Sequence, residues 1–80
     1  MLNQYVLTGR LVKINDNSIV IENGTDKLII KVSSNLLENI QNYCNIGGVV
    51  GIKGKITTVN DCIELACEKC TFLSSKAPTE

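Results

Sequence analysis

The stretch "KLIIKVSSNLLENIQNYC", residues 27–44, contains the change of periodicity that decides the fold. Residues 27–32 alternate between apolar and mostly charged positions, which predicts a strand with one buried face. From residue 33 onward the apolar side chains recur at helical spacing instead: Leu36, Ile40, Tyr43 and Cys44. We therefore expect a strand followed by a helix over 33–44, with Asn35 as its N-cap and Glu38 completing a capping box.

Period-two alternation predicts four more strands around this stretch: residues 3–14, 18–22, 48–57 and 62–73. The links between them are turn sequences: "NDN" at 15–17, "NG" at 23–24 and "VND" at 59–61. The Asn23–Gly24 pair is a strong hairpin signal because both residues tolerate a positive φ. Alternation fails near Glu68–Lys69, which predicts a bend or bulge in the last strand.

The predicted order is three strands, one helix and two strands. This is an all-β layout, and it matches the OB-fold, a five-stranded Greek-key barrel with one helix between strands 3 and 4. We expect residues 1–74 to form this single domain and residues 75–80 to be a flexible tail. A chain of 80 residues has little core, so closure of the sheet or a partner chain is needed for stability.

Composition excludes several classes of protein. The formal net charge is zero, so the chain lacks the strongly basic balance that marks many nucleic-acid-binding domains. No apolar run approaches a membrane span, and no basic-then-apolar leader precedes Leu2. We expect a cytoplasmic protein without membrane contact. The chain has no histidine, and its glycine-rich "NIGGVVG" precedes a strand rather than a helix. With no paired carboxylates at a recognisable spacing either, we expect no enzyme activity.

The four cysteines leave a metal site open as an alternative: Cys44, Cys62, Cys67 and Cys70. "CEKC" has the spacing of half a zinc site, but the chain offers neither histidine nor a second close pair of cysteines. In a regular strand, positions three apart point to opposite faces, so Cys67 and Cys70 are poorly placed for one ion or for a redox pair. We expect reduced cysteines that pack as small apolar side chains, and no metal or cofactor.

Three blocks of the sequence resemble bacterial single-stranded-DNA-binding proteins. "MLNQYVLTGRL" (1–11) is similar to the opening of that family, "LENIQNYCNIGGVVGIKGKITT" (37–58) to its helix and fourth strand, and "CTFL" (70–73) to the end of its fifth strand. The resemblance implies an OB-fold that binds single-stranded DNA. It also places Cys67 and Cys70 where relatives have small or aliphatic core residues.

The departures from that family mark a minimal or divergent relative. The connections after strands 1 and 4 are shorter than is usual there, and the family's acidic C-terminal tail is missing. The chain has no Trp and a single Phe, and Ser33 stands where the family often has Phe. Stacking platforms are therefore scarce, so we expect weak binding with little base preference.

Cations along a strand and one exposed ring are the candidate nucleic-acid-binding residues: Tyr5, Arg10, Lys13, Lys27, Lys31, Lys53 and Lys55. Strands 3 and 4 are not neighbours in an OB barrel, so their lysines need not form one patch. The alternative for each lysine is a solvated position that keeps the sheet soluble. We expect Tyr43, on the apolar side of the helix, to be part of the core, and Phe72 to be part of the core or an interface.

The first strand has a second predicted role. The family resemblance implies that it pairs with its counterpart in a homodimer or tetramer, with Gly9 allowing close backbone approach and Arg10 contacting phosphate or the interface. The predicted function is non-catalytic binding of single-stranded DNA, in replication, recombination or the maintenance of a mobile element. The alternatives are an OB-fold interaction or assembly module with weak or no nucleic-acid binding, and RNA binding.

Overall fold

The computed structural model describes residues 3–73, which form a closed five-stranded barrel. The elements in chain order are β1 (Gln4–Ile14), β2 (Ser18–Asn23), β3 (Asp26–Lys31), α1 (Ser34–Tyr43), β4 (Val49–Val59) and β5 (Cys62–Phe72). The strand order around the barrel is β1-β2-β3-β5-β4. Only the β3–β5 contact is parallel. The OB-fold prediction is confirmed, and the predicted tail at 75–80 lies outside the described residues.

The interior of the barrel is aliphatic, as the alternation predicted. Its fully buried side chains come from four strands and the helix: Leu11, Ile19, Ile21, Ile30, Ile40, Val50 and Ile52. In β2 and β4 the buried residues are two apart, because successive side chains point to opposite faces of a sheet. Within residues 3–73, no helix is both long and apolar enough to cross a membrane.

The helix differs from its prediction in two details. The N-cap is Ser33, whose Oγ accepts a hydrogen bond from the Leu36 amide at 3.3 Å, so Asn35 is not the cap. The helix faces the barrel with Leu37, Ile40 and Cys44. Tyr43 is 59% exposed, and its predicted core position is wrong. The helical spacing identified Ile40 and Cys44 correctly, but it selected Leu36 and Tyr43 where the structure buries Leu37.

Both hairpins are present with two-residue loops. In β2–β3 the pairing continues to Asn23 and Asp26, so the loop is Gly24–Thr25, with φ of +63° at Gly24. In β4–β5 the loop is Asn60–Asp61, with φ of +51° and +64°. Two successive positive φ values are the requirement of a type I′ turn, which asparagine and aspartate tolerate better than other non-glycine residues.

A bulge interrupts β5 and changes the placement of two cysteines. Lys53 pairs with Lys69 and Gly54 pairs with Cys67, so Glu68 is the extra residue. The predicted bulge is confirmed. Because one residue is inserted, Cys67 and Cys70 point to the same side of the sheet, toward the core. The prediction that they face opposite sides is therefore wrong.

The environments of the thiols follow from this arrangement. Cys44 and Cys67 are buried, Cys70 is half-buried, and Cys62 is exposed beside the β4–β5 turn. The expectation of a packed position is thus wrong for Cys62. Burial, with smaller contributions from Cys67 and Cys44, raises the pKa of Cys70 to about 12. Among residues 3–73, no group of three or more histidine, cysteine or carboxylate side chains is arranged to hold a metal ion.

Candidate nucleic-acid interface

Four of the predicted cations lie on one continuous outer surface of the barrel. This surface, called here the basic face, is formed by the second half of β1 with β2 and β3: Arg10, Lys13, Val20, Glu22, Lys27, Ile29 and Lys31. Cross-strand pairing aligns them in rows. One row is Arg10–Glu22–Lys27, and the next is Lys13–Val20–Ile29. The structure therefore brings together cations that are far apart in sequence.

A second bulge, in β1, is what puts two of these cations on the same side. Strict alternation from Leu11 would turn Lys13 toward the core. The β1–β2 register shifts between Leu11 and Lys13, so Leu11 points inward while Arg10 and Lys13 are both exposed. An extra residue in one strand reverses the side-chain parity beyond it.

The electrostatic balance of the basic face is positive. Glu22 lies between Arg10 and Lys27 on the neighbouring strands. The Lys31 Nζ lies 3.5 Å from Glu64 Oε2, with the lysine side chain still 59% exposed. Such a solvent-exposed ion pair contributes little stability and is easily exchanged for another anion. A groove of about 370 Å³ lies beside Arg10 and Glu22, bounded by the β2–β3 turn and the start of β4.

The apolar part of the basic face is aliphatic. Ile29 is 68% exposed, and Val20 beside it is half-buried. No aromatic side chain belongs to this face within the described part of the chain. A base meeting it would contact branched alkyl groups, which offer burial but not the flat stacking surface of a ring.

The predicted aromatic residue of the site, Tyr5, lies elsewhere. Its ring is half-buried against the core, and its hydroxyl donates a hydrogen bond to the Ala66 carbonyl at 3.1 Å. Burial, with smaller contributions from the nearby Cys67 and Glu68, raises the pKa of Tyr5 to about 12. The expected exposure of Tyr5 is therefore only partial, and its position points into the barrel rather than onto the basic face.

The other two aromatic residues form a pair next to the helix. The ring centroids of Tyr43 and Phe72 are 5.9 Å apart with an interplanar angle of 42°. Phe72 is half-buried against the core, which agrees with its prediction. The exposed side of this pair is Tyr43.

Lys53 and Lys55 lie on β4, away from the basic face. Since β3 and β4 are separated by β5 in the barrel, their lysines lie on different surfaces, a point that the sequence left open. Lys55 Nζ lies 3.6 Å from Glu68 Oε2. Lys53 is directly opposite Lys69, a cation that the sequence analysis did not select. The predicted bulge at Glu68 could have identified Lys69, because the bulge determines that Lys69 pairs with Lys53.

Comparison with known proteins identifies the fold. No protein-family model matches the sequence, and no curated protein does. Among solved structures, the mitochondrial single-stranded-DNA-binding protein Rim1 of S. cerevisiae is 14% identical with a TM-score of 0.76, covering 98% of this chain and 100% of that one. The chain shares the fold of single-stranded-DNA-binding proteins.

Two further solved structures extend the comparison. The SSB domain of a Synechococcus protein is 16% identical with a TM-score of 0.67, covering 89% of this chain and 96% of that one. The E. coli hypothetical protein ygiW is 14% identical with a TM-score of 0.69, covering 88% of this chain and 74% of that one. At such identities the likeness establishes the OB-fold alone, and the site must be argued from its residues.

Proposed function

We propose that this chain binds single-stranded DNA along the basic face, without catalysis. The observation that carries the proposal is the alignment of Arg10, Lys13, Lys27 and Lys31 on three neighbouring strands. The face that includes strands 2 and 3 is where OB-folds bind oligonucleotides. The structural likeness to Rim1 and to an SSB domain, both named for single-stranded DNA, supports the same ligand.

The chemistry of the face indicates how the strand is held. Phosphates lie along the cations, and bases or sugars cover Ile29 and Val20. Because no ring stacks on the bases there, the ionic contribution dominates. Each phosphate contact on a single strand adds about 0.7 to the slope of log K against log salt, so four contacts give a slope of about −3. Base preference is small, since nothing on the face reads base edges.

A titration tests the proposal. Labelled oligo-dT and a matched oligo-U are titrated with the protein at low and moderate salt, and fluorescence anisotropy is followed. We expect saturable binding to dT that weakens steeply with salt. Stronger binding to U would assign the face to RNA. No change in anisotropy at high micromolar protein would reject the proposal and favour an assembly module.

We further propose that the first half of β1 pairs with a second copy of the chain. Backbone hydrogen bonds from Ile56 to Asn3 and from Leu11 to Gly48 set the parity of the β1–β4 ladder. The backbone N–H and C=O groups of the odd-numbered β1 residues therefore point toward β4. Those of Gln4 and Val6 point to the opposite edge of β1. The pairing of β1 with β2 begins only at Arg10. Within residues 3–73, no strand covers Gln4 and Val6 on that edge.

Replacement of Val6 by proline is expected to abolish self-association and leave the barrel folded. Proline removes the Val6 amide hydrogen, which no strand within residues 3–73 pairs with, and edge strands tolerate proline. Light scattering at tens of micromolar should give an oligomer for the unmodified chain and a monomer for Val6→Pro. In the matched control, Leu7→Pro removes an amide that pairs with β4, and the barrel should lose stability. A monomeric unmodified chain would contradict the proposed pairing.

A further inference from the structure

The first half of β1, with β4 and β5, presents a second outer surface that contains a shallow groove. The groove, called here the lysine groove, has a volume of about 230 Å³ and is lined by Val6, Gly51, Ile52, Lys53, Lys69 and Thr71. Pairing places Val6, Lys53 and Lys69 in one row across the three strands. In the adjacent row, Gly51 lies opposite both Thr8 and Thr71.

The two lysines of the groove oppose each other directly. Directly opposite residues of an antiparallel pair have Cβ atoms about 5 Å apart, and like charges at this spacing destabilise the sheet. Neither Lys53 nor Lys69 forms an ion pair with any residue in the range 3–73. Glu68, the carboxylate next in sequence to Lys69, is paired with Lys55 instead. An anion placed between Lys53 and Lys69 would relieve their repulsion.

The shape of the groove allows such an anion to approach. Gly51 lines the groove without a side chain, and a Cβ there would fill space at ordinary contact distances of 3.7 to 3.9 Å from Thr8, Leu73 and Thr71. Val6, 74% exposed, gives the groove an apolar side. Among the residues that the structure describes, no carboxylate lines the groove. Two cations, one hydroxyl and an alkyl surface match a sugar–phosphate unit, whose phosphate is anionic and whose sugar is largely apolar.

We propose that the lysine groove is a second phosphate-binding site, which holds the backbone of the same nucleic-acid strand that crosses the basic face. The inference rests on the proposed function. β1 connects the two surfaces: Val6 and Arg10 point outward from the same strand, about 13 Å apart along it. A nucleic-acid strand that leaves the basic face at Arg10 reaches the lysine groove by running along β1.

The test compares two double variants with the unmodified chain by anisotropy on oligo-dT over a range of salt. Lys53→Gln with Lys69→Gln removes two charges, and we expect the slope of log K against log salt to become shallower by about 1.4. Lys53→Arg with Lys69→Arg keeps both charges and should retain the original slope. Thermal melting checks that both variants are folded, and loss of the repulsion should leave the glutamine variant at least as stable as the original.

A local measurement separates the groove from a general effect of net charge. On addition of oligo-dT, the backbone amide NMR signals of Gly51 and Thr71 should shift in the unmodified chain and remain in place in the glutamine variant. If the unmodified chain binds dT but the glutamine variant has the same slope, the groove inference is wrong while the proposed function stands. If the unmodified chain does not bind dT, the proposed function itself fails. Binding of a poly-glutamate peptide that competes for the groove, with the dT slope unchanged, would assign the groove to an acidic protein and overturn the inference.

Discussion

Replacement of Gly54 by alanine is expected to destabilise the barrel strongly. Gly54 lies opposite the bulge in β5, where the two backbones approach most closely. A Cβ at this position would overlap the Ala66 carbonyl group and crowd the Cα of Cys67. These are backbone atoms held by pairing on both sides of the bulge, so they cannot rotate away as a side chain would.

The expected loss is more than about 3 kcal/mol, at the upper end of the range for overpacking. A domain of this size has a free energy of unfolding of about 4–12 kcal/mol in total. Urea unfolding followed by circular dichroism measures the change. Gly51→Ala is the matched control on the same strand: its added methyl group meets side chains at ordinary contact distances, and we expect a change below about 1 kcal/mol. A Gly54→Ala variant as stable as this control would show that the β4–β5 approach is not as close as described.

Charge reversal at Arg10 and Lys27 is expected to weaken the binding of oligo-dT by more than about 100-fold at low salt. These two side chains flank Glu22 in one row of the basic face. Reversal removes two cations and creates a row of three carboxylates, which repels phosphate. Loss of two charge-assisted contacts costs about 3 kcal/mol, which corresponds to about two factors of ten in affinity.

Two further variants make the result interpretable. Arg10→Lys with Lys27→Arg keeps the charges and should bind nearly as well as the unmodified chain. Arg10→Gln with Lys27→Gln removes the two charges without adding repulsion in the row. It should lose about 100-fold through the two missing contacts alone, and it can replace the reversed variant if that variant does not fold. If the folded glutamine variant binds oligo-dT with unchanged affinity, the DNA strand does not run along the basic face.

Particular residues illustrate what pattern reading can recover. The inward positions of β3 and β4 follow from strict alternation, because a strand buried on one face must place its apolar side chains there. The β2–β3 hairpin follows from "NG", although its loop lies one residue further along, at Gly24–Thr25. There Asn23 pairs with Asp26, and its side-chain amide donates a hydrogen bond to the Thr8 carbonyl at 2.7 Å. Asn23 therefore belongs to the β2–β3 ladder and contacts β1, instead of forming the turn.

The sequence correctly indicated a close backbone approach at Gly9, and in the structure the neighbour at that point is β2 of the same chain. The sequence associated it with close approach of another backbone, at a predicted interface between chains. In the structure a Cβ at Gly9 would overlap the Ile21 side chain and the Glu22 carbonyl of the same barrel. The close approach is therefore that of β1 to β2, where the sheet bends toward closure.

The order of elements, the buried faces of the unbulged strands β2, β3 and β4, and the presence of a helix between β3 and β4 were determined by the sequence alone, since periodicity is a local property of the chain. Tertiary structure decided which charges meet. The bulges at Leu11–Lys13 and at Glu68 reverse side-chain parity, and so turn Lys13 outward, set Lys69 opposite Lys53 and bring Cys67 and Cys70 to one side. Such a reversal depends on the register between strands that are distant in sequence, and register is settled only when the barrel closes.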